Sequence, residues 1–155
     1  MGRTARGVRG MNLEDGQLVI AMLVAQNEQQ SVLTATENGY GKRTPITEYT
    51  RHGRGTKGMI AIQTSERNGK VVAATLVSST DEIMLITTGG VLIRTRVSEI
   101  REMGRATQGV TLISVDDGTK LSGLQRIVES DADVDAETFS EGDASDEAAD
   151  GTQAE

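Results

Sequence analysis

The sequence predicts an all-β fold: a propeller-like, open array of four-stranded blade repeats ending in a disordered acidic tail. Three observations predict it. The chain repeats itself every 51 residues, two-residue turn signals punctuate short β-rich runs, and its charges are sharply segregated along its length.

The repeat is read from two independent markers. A G-R-x-x-[R/K/Q]-G-[V/M] element occurs at Gly2, Gly53 and Gly104, each 51 residues from the last. Thr36, Gly39, Arg43, Thr44 and Glu48 recur as Thr87, Gly90, Arg94, Thr95 and Glu99, again 51 apart. Two markers in one register divide the chain into copies 1–51 and 52–102 and a partial copy 103–128, followed by a tail, 129–155. A period of this size marks a solenoid or propeller-type array.

The strands follow from the punctuation. Asp15-Gly16, Asn38-Gly39, Asn68-Gly69, Gly89-Gly90 and Asp117-Gly118 are dipeptides that tolerate positive φ and suit tight hairpins. Between them lie runs rich in Val, Ile, Leu and Thr, which predict strands over 18–25, 32–36, 59–64, 71–77, 83–87, 91–95, 110–115 and 121–128. Two hairpins per copy imply one four-stranded blade per copy. Residues 83–86 are continuously apolar, as expected of a strand covered on both faces. No stretch of ten residues has a convincing helical period, and the single proline, Pro45, belongs at an edge or loop.

Composition explains the tail. Of 23 acidic residues, 11 lie from Glu129 onward, where there is no Lys or Arg. Residues 1–128 therefore carry a net charge of +4, hidden beneath a whole-chain value of −7. With Val134 and Phe139 as its only large apolar residues, the segment 129–155 cannot bury enough surface to offset its ordering entropy and is expected to be disordered. It either solubilises the chain or competes with a polyanion for the basic part. The absence of cysteine, of a signal-peptide core after Met1 and of any apolar run near ~20 residues suits a soluble cytoplasmic protein.

Repetition also points to a binding surface. Arg3, Arg6, Arg54, Lys57 and Arg105 belong to the Gly-Arg elements, and Lys42, Arg43, Arg94 and Arg96 form a second series near the other turn. In a single copy such residues read as solvated surface. Repeated on successive blades, they would space cations along one rim, which suits the phosphates of double-stranded DNA. Only three aromatics are present, Tyr40, Tyr49 and Phe139, too few for a base-stacking platform, so a duplex fits better than a single strand.

Catalytic and metal readings fail. Residues 53–58 spell G-x-G-x-x-G, but a strand is expected next where a dinucleotide site needs a helix. Gly41-Lys42 lacks the rest of a P-loop. His52 is the only histidine, and Asp131, Asp133 and Asp135 start a calcium-loop pattern that Ala136 and Gly142 break. No catalytic group, metal ligand or cofactor site is expected.

Several segments carry a family likeness: MGRTARGVRG at 1–10, NGYGKRT at 38–44, RGTKG at 54–58, ERNG at 66–69, RTRVSEI at 94–100 and GRATQGV at 104–110. On these the chain resembles, over residues 1 to about 128, the β-pinwheel of blade repeats that forms the C-terminal domain of bacterial DNA gyrase A. The resemblance implies a domain that wraps DNA around its basic perimeter, in partnership with the rest of the gyrase A dimer and with gyrase B, in ATP-dependent negative supercoiling by a nucleoid-associated type II topoisomerase. ATP and Mg²⁺ would be bound by other domains. The Gly-Arg elements look like degenerate forms of the family's basic box, Q-R-R-G-G-K-G; Arg54, Gly55, Lys57 and Gly58 match its end, with Thr56 departing from it. The full box and the cleavage domain with its DNA-attacking tyrosine are absent, so this stretch alone should not cut DNA. The related domain of topoisomerase IV, or a protein-interaction propeller fragment, are the alternatives. An array that stops at a partial copy should end in open edges, be marginally stable and tend to associate.

Overall fold

The computed structural model describes residues 2–128; the acidic tail lies outside the described residues. Among the described residues seven strands form two antiparallel sheets. β1 (Ser31–Thr36) and β2 (Tyr40–Pro45) make a hairpin around Asn38 and Gly39, and β4 (Glu82–Thr87) and β5 (Leu92–Arg96) make its equivalent around Gly89 and Gly90. Gly39 and Gly90 take φ of 83° and 81°, the left-handed conformation that the turn requires and that other residues resist. Each hairpin ends in a single 3-10 turn, Ile46–Glu48 and Val97–Glu99, again 51 residues apart.

The sheets are not built one per copy, as the turn signals suggested. In the first, β3 (Val71–Val77) pairs with β1, and the short β6 (Val110–Thr111) pairs with β2, giving the order β3-β1-β2-β6. A hairpin from one copy thus receives its third strand from the next copy and its fourth from the copy after that. The second sheet, β5-β4-β7, follows the same rule with β7 (Leu121–Ile127) in the place of β3, and no strand takes its fourth position among the described residues. Both third strands shift register at the same point, opposite Thr36 and Thr87.

Two expected strands, 18–25 and 59–64, are not strands, and 110–115 keeps only two strand residues. The recruitment rule supplies the reason: a strand needs a ladder partner, and residues 18–25 and 59–64 stand where β3 and β6 would stand against a hairpin one copy earlier. Leu18, Met22 and Val24 are left 81%, 86% and 71% exposed. The polar β2 escaped the expected set, although it is the equivalent of the expected strand 91–95.

One apolar core joins the two sheets: Leu33 and Ala35 of β1, Val77 of β3, Ile83 and Leu85 of β4 and Leu121 of β7, closed by Val97, Ile100 and Ile113. β1 is buried at all six positions, because both its faces are covered. β4 alternates, with Ile83, Leu85 and Thr87 buried and the other face half-covered, so the expectation that 83–86 is fully enclosed holds for one face. No helix among the described residues is long and apolar enough to cross a membrane.

Candidate nucleic-acid interface

The three Gly-Arg elements share a backbone. Gly7, Gly58 and Gly109 take φ of 88°, 72° and 81°, each after a turn at Arg3, Arg54 or Arg105. Their side chains do not share an environment. Arg3, Arg6 and Arg54 are exposed and make no hydrogen bond or ion pair among the described residues. Arg105 is half-buried: its Nε donates to the Glu48 carbonyl and its Nη1 to the Ile60 carbonyl, both at 3.0 Å. The difference follows from the recruitment rule, since among the described residues only the third element has a hairpin to dock on.

That docking consumes the second series of cations. The Lys42 side chain is fully buried, and its Nζ donates to the Gly104 carbonyl at 2.5 Å, the Arg105 carbonyl at 2.6 Å and Thr107 Oγ1 at 3.1 Å. Three acceptors satisfy the three donors of an ammonium. Burial nevertheless pushes its pKa down to about 8, Glu48 opposing and Arg105 reinforcing the shift. Arg43 Nε donates to the Ile100 carbonyl at 2.7 Å, and its backbone exchanges hydrogen bonds with Arg101 and Met103. The expectation that Lys42, Arg43 and Arg105 stand on the surface with the other basic residues is corrected: the chain turns them onto its own carbonyl oxygens, burying Lys42 fully and Arg43 and Arg105 in part.

The remaining cations are exposed. Lys57 meets Glu14 at 2.6 Å, while Arg94 and Arg96 share Glu82, with Arg96 Nε 3.7 Å away. Such exposed pairs hold their partners weakly. The first two Gly-Arg elements lie side by side: the Gly55 N–H donates to the Gly10 carbonyl and the Asn12 N–H to the Thr56 carbonyl, both at 2.9 Å. This contact brings Arg3, Arg6, Arg54 and Lys57 into neighbouring loops. Arg9, Arg51 and Arg101 are exposed too, and no repeated pattern singles them out. Tyr40 already carries the Arg67 guanidinium over its ring at 4.7 Å, which lowers its phenol pKa mainly through a hydrogen bond and leaves that face unavailable for a base. Among the described residues no cluster of His, Asp and Glu could hold a metal ion.

The family described as the DNA gyrase C-terminal domain, beta-propeller, matches residues 1–26, 30–78 and 81–127. The chain belongs to this DNA gyrase C-terminal domain family. Its relatives include the DNA gyrase A proteins of Neisseria gonorrhoeae, 54% identical over 137 residues, and of Escherichia coli K12, 48% identical over 139 residues. These alignments cover 86% and 90% of the chain and only 15% and 16% of the relatives, so the chain spans about a sixth of their length. A solved DNA gyrase A C-terminal domain superposes with a TM-score of 0.73 at 29% identity, covering 79% of this chain and 41% of that one. The C-terminal domain of DNA topoisomerase IV superposes at 0.72, over 78% of this chain and 38% of that one, with 21% identity, a likeness of fold alone. The all-β fold with unclosed sheets is thus that of the gyrase C-terminal domain, and gyrase, ahead of topoisomerase IV, is where its sequence places it.

Proposed function

We propose that this gyrase C-terminal domain segment binds double-stranded DNA through the paired loops of its first two Gly-Arg elements. Arg3, Arg6, Arg54 and Lys57 meet the phosphates, and Arg94 and Arg96 add a second patch. The observation that carries this reading is the exposure of Arg3, Arg6 and Arg54, unpaired, on adjoining loops of equivalent backbone, within a body of net charge +4. Glycines at the turns let a phosphate approach the main chain closely. Lys42, Arg43 and Arg105 support the binding face from within and touch no DNA.

In this reading the chain supplies DNA wrapping to a gyrase A dimer working with gyrase B in the cytoplasm, at the nucleoid. Strand cleavage, ATP and Mg²⁺ belong to other domains, and the segment itself catalyses nothing. Duplex affinity measured across a salt series is the test. Binding through Z phosphates gives log K a slope of about −0.9Z in log salt, and replacing Arg54 and Lys57 together with alanine should make it shallower by about 2, equally for unrelated sequences. A loss confined to one DNA sequence would argue against phosphate contacts, and a flat salt dependence would favour a protein partner instead.

A further inference from the structure

The row of Gly-Arg loops continues past the pair that carries the exposed arginines. The Asn12 N–H donates to the Thr56 carbonyl at 2.9 Å, and 51 residues on the Gln63 N–H donates to the Thr107 carbonyl at 3.0 Å. One repeated main-chain bond thus ties the first loop to the second and the second to the third. A duplex that follows the first two loops is carried toward the third. There the side chains offer it no cation: Arg105 is turned inward, and Gln108 stands where the other loops have Arg6 and Lys57.

What the third loop does offer is main chain. The Gly104 and Arg105 carbonyls both point at the Lys42 ammonium. Across a planar trans peptide the C=O and the following N–H point in opposite directions, so the Arg105 and Ala106 N–H groups face away from the lysine, and Ala106 is exposed. Successive N–H groups on one side of a loop make a seat for an anion. The chain fills that seat with an anion of its own. Glu48 Oε2 accepts from the Arg105 N–H at 3.4 Å, and the two carboxylate oxygens lie 3.5 and 3.9 Å from where a Cβ on Gly104 would stand. Lys42 and Arg105 lie behind it, and the charges of Glu48 and Arg105 both act on Lys42 through space. Every one of these groups belongs to the four-stranded sheet or to the segments that adjoin its strands.

The contact is suited to exchange. Glu48 is exposed and its bond is long, so it holds weakly. A phosphodiester carries the same single negative charge and accepts the same N–H bonds. We infer that Glu48 is an internal stand-in for a DNA phosphate on the third Gly-Arg loop, seated in the free chain and displaced when a duplex reaches that loop. The phosphate then accepts from the Arg105 and Ala106 main-chain N–H groups, while the side chains of Lys42 and Arg105 stay enclosed and act through their charge. This rests on the reading that the first two loops hold the duplex, and it makes Glu48 the residue that limits how far along the row DNA is held.

Amide and carboxylate NMR of the 155-residue chain, titrated with a mixed-sequence duplex, tests the inference. At saturation the Arg105 and Ala106 N–H signals and the Glu48 carboxylate signal of the wild type should move together, while the Asn38 amide, at the far turn of the hairpin, should stay in place. Glu48→Gln keeps the shape of the side chain and removes its charge, and should raise duplex affinity about fivefold. Glu66→Gln removes an equal charge beside the Asn38 turn and should raise it less than about twofold. Wild-type Arg105 and Ala106 signals that stay put at saturation, or equal affinities for the two variants, overturn the inference and leave the first two loops as the DNA site. A wild type that binds no duplex overturns both readings.

Discussion

The two hairpins carry related sequences in the same conformation and end in different states. β1–β2 is covered by strands from both following copies, and at its centre Lys42 is sealed against three oxygen acceptors. Among the described residues β4–β5 is covered on one side only, and Ile93, which occupies the position of Lys42, faces outward, as does Arg94 where Arg43 is turned inward. Burial here is conferred by later copies more than by the hairpin's own residues. A cation's role is likewise set by which neighbours arrive.

The strongest way to break this contrast is to empty the shared core. Leu33→Ala should cost about 2–5 kcal/mol, because Leu33 is fully buried between the sheets, whereas Leu92→Ala on the open edge should stay within about 0.5 kcal/mol. Urea unfolding followed by far-ultraviolet circular dichroism measures both. Equal effects would mean that the β5 edge is covered in solution.

Lys42 sharpens the contrast next. Lys42→Met strands the Gly104 and Arg105 carbonyls and should cost about 1–3 kcal/mol, while Ile93→Met should cost within about 0.5 kcal/mol. The sign of the pH effect is set by burial. A lysine held at about 8 in the fold and near 10.5 in the unfolded chain binds fewer protons when folded, so its contribution to stability grows as pH rises between those values. Denaturation of wild type and Lys42→Met at pH 7.5 and pH 10 should show the gap widening in favour of the wild type.

The smallest effect separates two glycines in the same left-handed conformation. Gly58→Ala bears that strain in open space, whereas at Gly109 a Cβ would also stand 2.5 Å from the Gly41 carbonyl. Gly109→Ala should therefore be worse by roughly 1 kcal/mol, measurable as a difference in melting temperature.

Much of this was legible in the residues, for identifiable reasons. The hairpins at Asn38-Gly39 and Gly89-Gly90 depend on local turn chemistry, and the strand Val71–Val77 is the run predicted from its β-branched composition. What was not legible depends on partners distant in the chain. Residues 18–25 have the composition of a strand and no ladder to join, and nothing local in β2 announces that Lys42 would face the carbonyls of residues 104 and 105. Asn68, read only as a turn residue, is fully buried and donates from Nδ2 to the Gln63 and Gln108 carbonyls, tying two copies together. Among the nine basic residues, repetition identified the position and could not tell which occurrence would be enclosed.

Because the β1–β2 hairpin is finished by strands from the two copies that follow it, and β4–β5 takes its third strand in the same way, the copies overlap like roof tiles, each lying over the fastening of an earlier one.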